Sequence, residues 1–271
     1  MLKLIVVGAA GRMGRQIIFD ALRDHEIEVV GAIDAPGAPQ IGEDIGRLCD
    51  YAPTGVTVES CLKDVIKRGQ AVVDFSVAAA VPAHLEVARS SLKPYALGTT
   101  GLAPETRAAI SAAAEDIPIL VAPNMSLGIN LLASVLPSMI RAIDGGYDIE
   151  VIEAHHRFKL DAPSGTALWL TGIIESTLRG KAPSSRVFGR QGLAPRQPGE
   201  IGVHAVRGGG NPGEHRLLFA NEGEQIELVH RAFSRQTYSL GALRAVKFLV
   251  RQPPGLYDMQ DVIADLLREE I

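Results

Sequence analysis

Cysteine is scarce in this chain. Cys49 and Cys61 are the only two among 271 residues, and they form no C-x-x-C arrangement. Such usage fits reduced packing thiols in a reducing compartment rather than a disulfide framework. Basic runs are missing as well: 27 Lys and Arg stand against 31 Asp and Glu, for a formal charge of -4 and a pI near 6.0. Neither nucleic acid nor an anionic membrane surface is therefore expected as a partner. No uninterrupted apolar run approaches the ~18 residues that a membrane helix needs. Met1 to Val7 runs straight into glycines and leaves no room for a charged region plus a separate apolar signal core. No signal peptide is read, and the expected compartment is the cytoplasm. Internal repeats and low-complexity segments are absent too.

Apolar material is present, and it comes in regular order. Hydrophobic residues make up 46% of the chain at a mean hydropathy of +0.14, enough for one large or two ordinary domains with proper cores. Strand-like runs at Leu4 to Val7, Glu28 to Ile33, Ala71 to Phe75, Tyr95 to Leu97 and Ile117 to Ala122 alternate with helical patterns. The helices fall near Arg12 to Asp24, Pro82 to Leu92 and Pro104 to Glu115. A repeated βα pattern signifies a parallel α/β sheet.

After Pro123 the texture changes. A helix from Leu127 to Arg141 and a strand from Tyr147 to Ile152 lead into a loop, and a second helix follows from Thr166 to Glu175. A Pro/Gly/Arg-rich stretch from Gly180 to Gly202 then reads as a functional or mobile loop. Ile201 to Val206, Glu214 to Ala220 and Gln225 to Ala232 alternate as strands of an open sheet with one solvated face. Helical patterns at Gln236 to Val250 and Met259 to Glu269 are expected to pack back on the first domain. The expected fold is α/β: an N-terminal Rossmann dinucleotide-binding domain over residues 1–126, completed by helices within 236–271, and a C-terminal α+β domain over 127–235.

The segment Gly8-Ala9-Ala10-Gly11-Arg12-Met13-Gly14 lies directly after the first strand and opens a helix. In such a turn one glycine permits the bend, another lets the backbone approach a pyrophosphate, and a third lets helix and strand pack closely. Its G-x-x-G-x-x-G spacing is a one-residue variant of the usual pattern, and alone it reads equally as a structural turn. Asp34 adds a carboxylate at the end of the second strand, where an adenosine ribose is held. Ala35 follows it and offers no positive charge to a 2'-phosphate that Asp34 would repel. NADH is therefore favoured as cofactor, with Arg12 leaving NADPH open.

Three further strand ends lie where open α/β sheets bind ligands: Asp74-Phe75-Ser76, Gly98-Thr99-Thr100-Gly101 and Ala122-Pro123-Asn124-Met125-Ser126. Gly98, Thr99 and Thr100 can set backbone and hydroxyl groups against a nicotinamide, and Asn124 can bond an amide or ribose at the passage into the second domain. Singly, each also reads as an ordinary turn.

The densest chemistry sits at Glu153-Ala154-His155-His156-Arg157-Phe158-Lys159-Leu160-Asp161-Ala162-Pro163-Ser164-Gly165-Thr166-Ala167, read as a loop between strand and helix. Ser164 is a candidate N-cap, which would leave the Gly165 and Thr166 amides at the positive end of the helix as an anion site. His155, His156 and Lys159 supply proton donors and charge beside it, suiting a small substrate that carries carboxylates and receives a proton. A capped surface turn remains the alternative on these residues alone.

Together these residues resemble the dihydrodipicolinate reductase family. The resemblance covers nearly the whole chain and rests on Gly8 to Arg15, Asp74-Phe75-Ser76, Gly98 to Gly101, Asn124, Glu153 to His156 and above all Lys159 to Ala167. It implies that His155 is the general acid/base and Lys159 a proton donor, and that His156, Lys159, Gly165 and Thr166 bind the two carboxylates of a heterocyclic substrate. For the cofactor it implies Gly8, Ala9, Ala10, Gly11, Arg12, Met13, Asp34, Gly98, Thr99, Thr100, Ala122, Pro123, Asn124 and Met125. A homotetramer with a mixed sheet in the C-terminal domain is implied as well. The chain departs from the family pattern at Ala35, where a basic residue accompanies use of either cofactor, at Phe158, often histidine, and at Met125, often phenylalanine.

The implied chemistry needs no covalent nucleophile. Water leaves a hydroxylated ring, hydride adds at C4, and the enamine-like carbon takes a proton from the loop, with closure between the domains expected to exclude water. Arg207, His215 and Arg235 read first as strand-edge structural residues, with reach to substrate or a neighbouring subunit as the alternative. His25, His84, His204 and His230 show no ligand-like spacing, and no metal site is expected. Glu153 and Asp161 are expected to orient the loop by fixing a histidine tautomer. Two competing readings are a nucleotide-sensing protein without turnover and a semialdehyde dehydrogenase. The second needs a thiolate that neither Cys49 nor Cys61 is placed to supply.

Overall fold

The structure is a computed structural model describing residues 1–143, 146–178 and 185–269. It divides into two compact units, Met1–Leu127 with Arg235–Ile271, and Gly128–Ser234.

The first unit carries strands β1 (Leu2–Val7), β2 (Ile27–Ile33), β3 (Val58–Glu59), β4 (Ala71–Asp74), β5 (Tyr95–Leu97) and β6 (Pro118–Val121), joined from the C-terminal segment by β12 (Gly255–Tyr257). They form one sheet in the order β12-β6-β5-β4-β1-β2-β3, with every neighbouring pair parallel. The chain runs from β1 outward to β2 and β3, then returns to β4 on the other side of β1. Ligands in such sheets bind at this reversal.

Parallel central strands are covered on both faces, which is why β1 ends in the apolar run Leu4-Ile5-Val6-Val7, buried throughout. Leu4 and Val6 face helices α1 (Arg12–Ala21), α8 (Gln236–Leu249) and α9 (Met259–Glu269), with Ile17, Leu243, Val246 and Met259 in the same core. Ile5 and Val7 face the opposite core, which takes in α3 (Leu62–Val65), α4 (Val81–Ser90) and α5 (Pro104–Ala113) through Val65, Leu85 and Ile110. In α1, Gly14, Ile17, Ile18 and Ala21 give the helical stripe that is buried. The short α2 (Ile45–Leu48) is capped by Asp44.

The second unit begins with α6 (Leu127–Ala142), followed by β7 (Asp148–His155), α7 (Gly165–Leu178), β8 (Ser185–Phe188), β9 (Glu200–Arg207), β10 (Gly213–Ala220) and β11 (Gln225–Ala232). Its sheet runs β11-β10-β7-β9-β8 and is mixed: β7 pairs parallel with β9 and antiparallel with β10. Val151, Val203, Leu217 and Phe219 pack beneath Ile129, Leu136, Leu170 and Ile174 of the two helices. Among the described residues no helix is long and apolar enough to cross a membrane.

Several boundaries differ from the sequence reading. β7 extends through Glu153 to His155, because Ile149, Val151, Glu153 and His155 continue one buried face and both polar side chains find partners there. The loop proper starts at His156. β8 lies within the stretch expected to be loop, and Gly180 to Ser184 of that stretch fall outside the described residues. β3, β8 and β12 are short edge strands, whose few apolar residues leave little periodicity to detect.

Candidate active site

One group of candidate residues is built from strand ends of the first unit. Gly8 has φ +79°, and a Cβ there would stand 2.6 Å from the Phe75 carbonyl oxygen; at Gly14 it would stand 2.0 Å from Gly8 O. Only glycine lets this turn close against β4 and against its own helix. α1 has Gly11 at its N-cap with no side-chain cap, leaving the amides of its first turn for an anion. Asp34 follows β2 and is tied to the turn, with Oδ2 accepting from the Ala10 amide at 2.7 Å and Oδ1 from the Ala35 amide at 2.8 Å.

Gly98, Thr99 and Thr100 follow β5. Gly98 N donates to Asp74 O at 2.9 Å, and Thr99 Oγ1 to Ser76 O at 3.3 Å. Ala122 to Met125 follow β6; Ala122 N donates to Leu97 O at 3.1 Å, and Asn124 Oδ1 accepts the Ser126 amide at 3.0 Å. Met125 is 2% exposed and its side chain belongs to the core, so only its backbone is placed for a ligand. The expected cofactor residues thus gather at the carboxyl ends of β1, β2, β5 and β6. Ser76 Oγ, after β4, is buried and has no hydrogen-bond partner among the described residues. A glycine cradle, an uncapped helix start, a carboxylate at the end of β2 and an orphaned hydroxyl fit a dinucleotide.

Within the second unit a separate cluster forms around Glu153, which is fully buried. Arg207 on β9 meets its carboxylate in a bidentate pair, Nη1 to Oε2 at 2.8 Å and Nη2 to Oε1 at 2.7 Å. Glu153 Oε2 also lies 2.5 Å from His155 Nδ1, and Oε1 accepts the Ser164 amide at 3.0 Å. Burial works to raise the Glu153 carboxyl, but the bonds from Arg207, His155 and Ser164 outweigh it and hold it below its ordinary value. It stays ionised and orients His155 with Nδ1 toward itself, so that Nε2 is the ring nitrogen the carboxylate does not engage. Burial lowers His155, with Glu153 opposing the shift.

Ser164 caps α7, its Oγ accepting the Ala167 amide at 3.1 Å. The same Oγ lies 3.0 Å from His215 Nε2, whose ring stands edge-on to His155 with centroids 5.3 Å apart. Burial pushes His215 down to about 3, so it remains neutral. Gly165 is exposed and Thr166 half-buried at the helix start. Lys159 Nζ pairs with Asp161 Oδ1 at 2.8 Å, while His156 Nδ1 is buried without a partner. Backbone bonds from His156 N to Asn211 O at 2.8 Å and from Arg157 N to Gly209 O at 3.2 Å fasten the loop to the glycine turn after β9.

Sequence reasoning placed Arg207 and His215 as strand-edge residues first, whereas the structure puts both inside this cluster. The signal that finds them is register: Arg207 lies opposite His155, and His215 opposite Glu153. Of the two carboxylates expected to fix a histidine tautomer, Glu153 bonds His155, and Asp161 pairs with Lys159 instead. Arg235 is the N-cap residue of α8, in the first unit. Among the described residues no group of His, Cys, Asp and Glu is arranged to hold a metal ion. Cys49 donates to Arg15 O at 3.3 Å, and burial pushes its thiol up to about 11, which leaves no thiolate there for acyl chemistry.

A sheet reversing at β1 around a glycine cradle, in a chain whose other unit bears an oriented histidine and a serine-capped helix start, defines an NAD(P)H-dependent oxidoreductase of the Rossmann type. Comparison with known proteins narrows the class. The family described as "Dihydrodipicolinate reductase, N-terminus" matches residues 2–125, and "Dihydrodipicolinate reductase, C-terminus" matches 128–263. The chain belongs to the dihydrodipicolinate reductase family. It is 46% identical over 265 residues to the 4-hydroxy-tetrahydrodipicolinate reductase of Rubrobacter xylanophilus, covering 97% of this chain and 99% of that one. With the enzyme of the same name from Aromatoleum aromaticum it shares 42% over 263 residues, covering 97% and 95%. Among solved structures, dipicolinate-bound dihydrodipicolinate reductase from Paenisporosarcina sp. TG-14 matches at a TM-score of 0.76 and 24% identity, over 95% of this chain and 97% of that one. That likeness speaks for the fold.

Proposed function

We propose that this chain reduces 4-hydroxy-tetrahydrodipicolinate to tetrahydrodipicolinate, with release of water and oxidation of NAD(P)H, in the diaminopimelate route to lysine. The observation that carries the reading is the Glu153 carboxylate, which orients both the His155 ring and the Ser164 start of α7. An acid and a carboxylate-binding site held by one buried group suit a small dicarboxylate that must be protonated. Dipicolinate, held by the Paenisporosarcina enzyme, is a ligand of this heterocyclic dicarboxylate class.

In this reading the Gly165 and Thr166 amides, His156 and Lys159 bind the two substrate carboxylates. His155 passes the proton from Nε2 to the ring carbon, with Glu153 stabilising the imidazolium. The bound carboxylates offset the burial that otherwise keeps His155 uncharged. Lys159 stabilises the negative charge that develops on the ring and serves as a second proton source. Gly8 to Met13 hold the pyrophosphate, Asp34 the adenosine ribose, and Gly98 to Thr100 with Ala122 to Met125 the nicotinamide side. Once bound there, the reduced nicotinamide supplies hydride. We assign NADH as the preferred form, because Asp34 is anionic beside uncharged Ala35, with NADPH as the weaker alternative. Val206, 52% exposed on β9, and Phe188, 59% exposed on β8, mark sheet surface that we assign to assembly as a homotetramer.

Steady-state oxidation of NADH and NADPH by the purified chain, with substrate generated enzymatically, tests the proposal. A protein that binds NADH and never oxidises it under these conditions is a nucleotide sensor, and the reductase reading fails.

A further inference from the structure

We infer that Asp74, with Tyr95 and His84, forms a positioning unit for the nicotinamide end of the cofactor, acting through the Phe75-Ser76 turn. The inference rests on the cofactor reading above. In the sheet order, β2 with Asp34 lies on one side of β1, and β4 and β5 lie on the other. A dinucleotide with its ribose on Asp34 and its pyrophosphate on the β1–α1 turn must extend its second nucleoside over β4 and β5.

Asp74 ends β4 and is fully buried. Its Oδ2 accepts from the Tyr95 hydroxyl at 2.5 Å and lies 2.8 Å from His84 Nδ1, while Oδ1 accepts the Ser76 amide at 2.8 Å. Burial works to raise this carboxyl, but the bonds from His84, Ser76 and Tyr95 hold it below its ordinary value. Burial and the neighbouring carboxylate push the Tyr95 phenol well up, so it remains a donor. The sheet itself requires none of this, because an apolar residue at a buried strand end avoids the cost of burying a charge.

The charge fixes the Phe75-Ser76 turn, on which neighbouring loops rest. A Cβ at Gly98 would stand 2.2 Å from the Phe75 ring, and one at Gly8 2.6 Å from its carbonyl oxygen. Thr99 Oγ1 donates to Ser76 O at 3.3 Å. The turn also presents Ser76 Oγ, buried and without a protein partner, on the nicotinamide side of the reversal. Asp34, which serves the adenosine end, is held instead by the Ala10 and Ala35 amides.

The test separates the two ends of the cofactor. Wild type, Tyr95→Phe, Asp74→Asn and His84→Gln are titrated with NADH and with ADP-ribose, which lacks the nicotinamide, and their melting temperatures are recorded. Tyr95→Phe keeps the ring and removes one donor; it is expected to weaken NADH by about tenfold and leave ADP-ribose within about twofold. Asp74→Asn is expected to show the same split more strongly, and His84→Gln, which retains a donor, to stay close to wild type. Equal weakening of both ligands by Tyr95→Phe, or no weakening of NADH, overturns the inference even if Asp74→Asn fails to fold. Wild type binding neither ligand overturns the cofactor reading, and this inference with it.

Discussion

Glu153 Oε2 stands 2.5 Å from His155 Nδ1, two residues along the same buried face of β7, and the other oxygen of that carboxylate accepts the Ser164 amide at 3.0 Å. One group therefore sets the tautomer of the proposed acid and the position of the proposed carboxylate site. Glu153→Gln keeps the size and removes the charge. His155 is already lowered by burial, and Glu153 is what opposes that shift, so the variant lowers it further. If charged His155 is the reacting form, kcat/KM falls as pH rises through that pKa, and the falling limb moves to lower pH. Activity near pH 7.5 is expected to drop about tenfold to a hundredfold, with part regained on acidification. A pH-rate profile that keeps the wild-type limb would remove Glu153 from the mechanism.

His155→Ala and His156→Ala separate proton delivery from binding. The first is expected to lower kcat by about 10²- to 10⁴-fold with little change in substrate KM. The second removes a ligand from the anion site, so KM is expected to rise by about tenfold while kcat changes less. Lys159→Ala should affect both constants, because the proposed mechanism uses its charge for binding and for the developing anion. Steady-state kinetics on the three variants checks the division, and a His155→Ala enzyme with wild-type kcat would show that another group delivers the proton.

The legible parts of the chain were those with one strong local cause. The β1 run from Leu4 to Val7 is apolar because it is covered on both faces, and the Gly8 to Gly14 spacing follows from close backbone approach. Those causes lie within a few residues and leave a readable pattern. Glu153 was harder: it occupies a core-facing strand position that alternation assigns to apolar residues, and its partner Arg207 is 54 residues away. The burial of His215 likewise depends on pairing between β10 and β7. A single sequence carries no register across strands, so the individual members of the cluster were visible and their mutual contacts were not.

The proposed preference for NADH rests on the pair after β2. In the proposed binding mode Asp34 faces the place of a 2'-phosphate, and its oxygens are fixed by the Ala10 and Ala35 amides at 2.7 and 2.8 Å. The double variant Asp34→Ser, Ala35→Arg removes that repulsion and adds a guanidinium. The ratio of kcat/KM for NADH to that for NADPH is expected to fall by about tenfold to a hundredfold, the range of one or two charge-assisted hydrogen bonds. Measured side by side with saturating substrate, an unchanged ratio would move the preference elsewhere.

His215 makes the second unit sensitive to acid. Burial holds it at about 3 in the folded chain against an ordinary 6.5, so the unfolded chain binds the extra proton between those values. Its contribution is present above 6.5 and is lost as the pH falls from 6.5 toward 3. The full loss is bounded at about 5 kcal/mol and is smaller where the loop relaxes around the charged ring. His215→Gln preserves a polar partner for Ser164 Oγ and does not titrate. Urea unfolding at successive pH values should show wild type losing stability faster than the variant across that window, with parallel curves above it. Parallel curves throughout would mean that the ring is hydrated in the folded protein, and Ser164 would then cap α7 without a buried neutral histidine behind it.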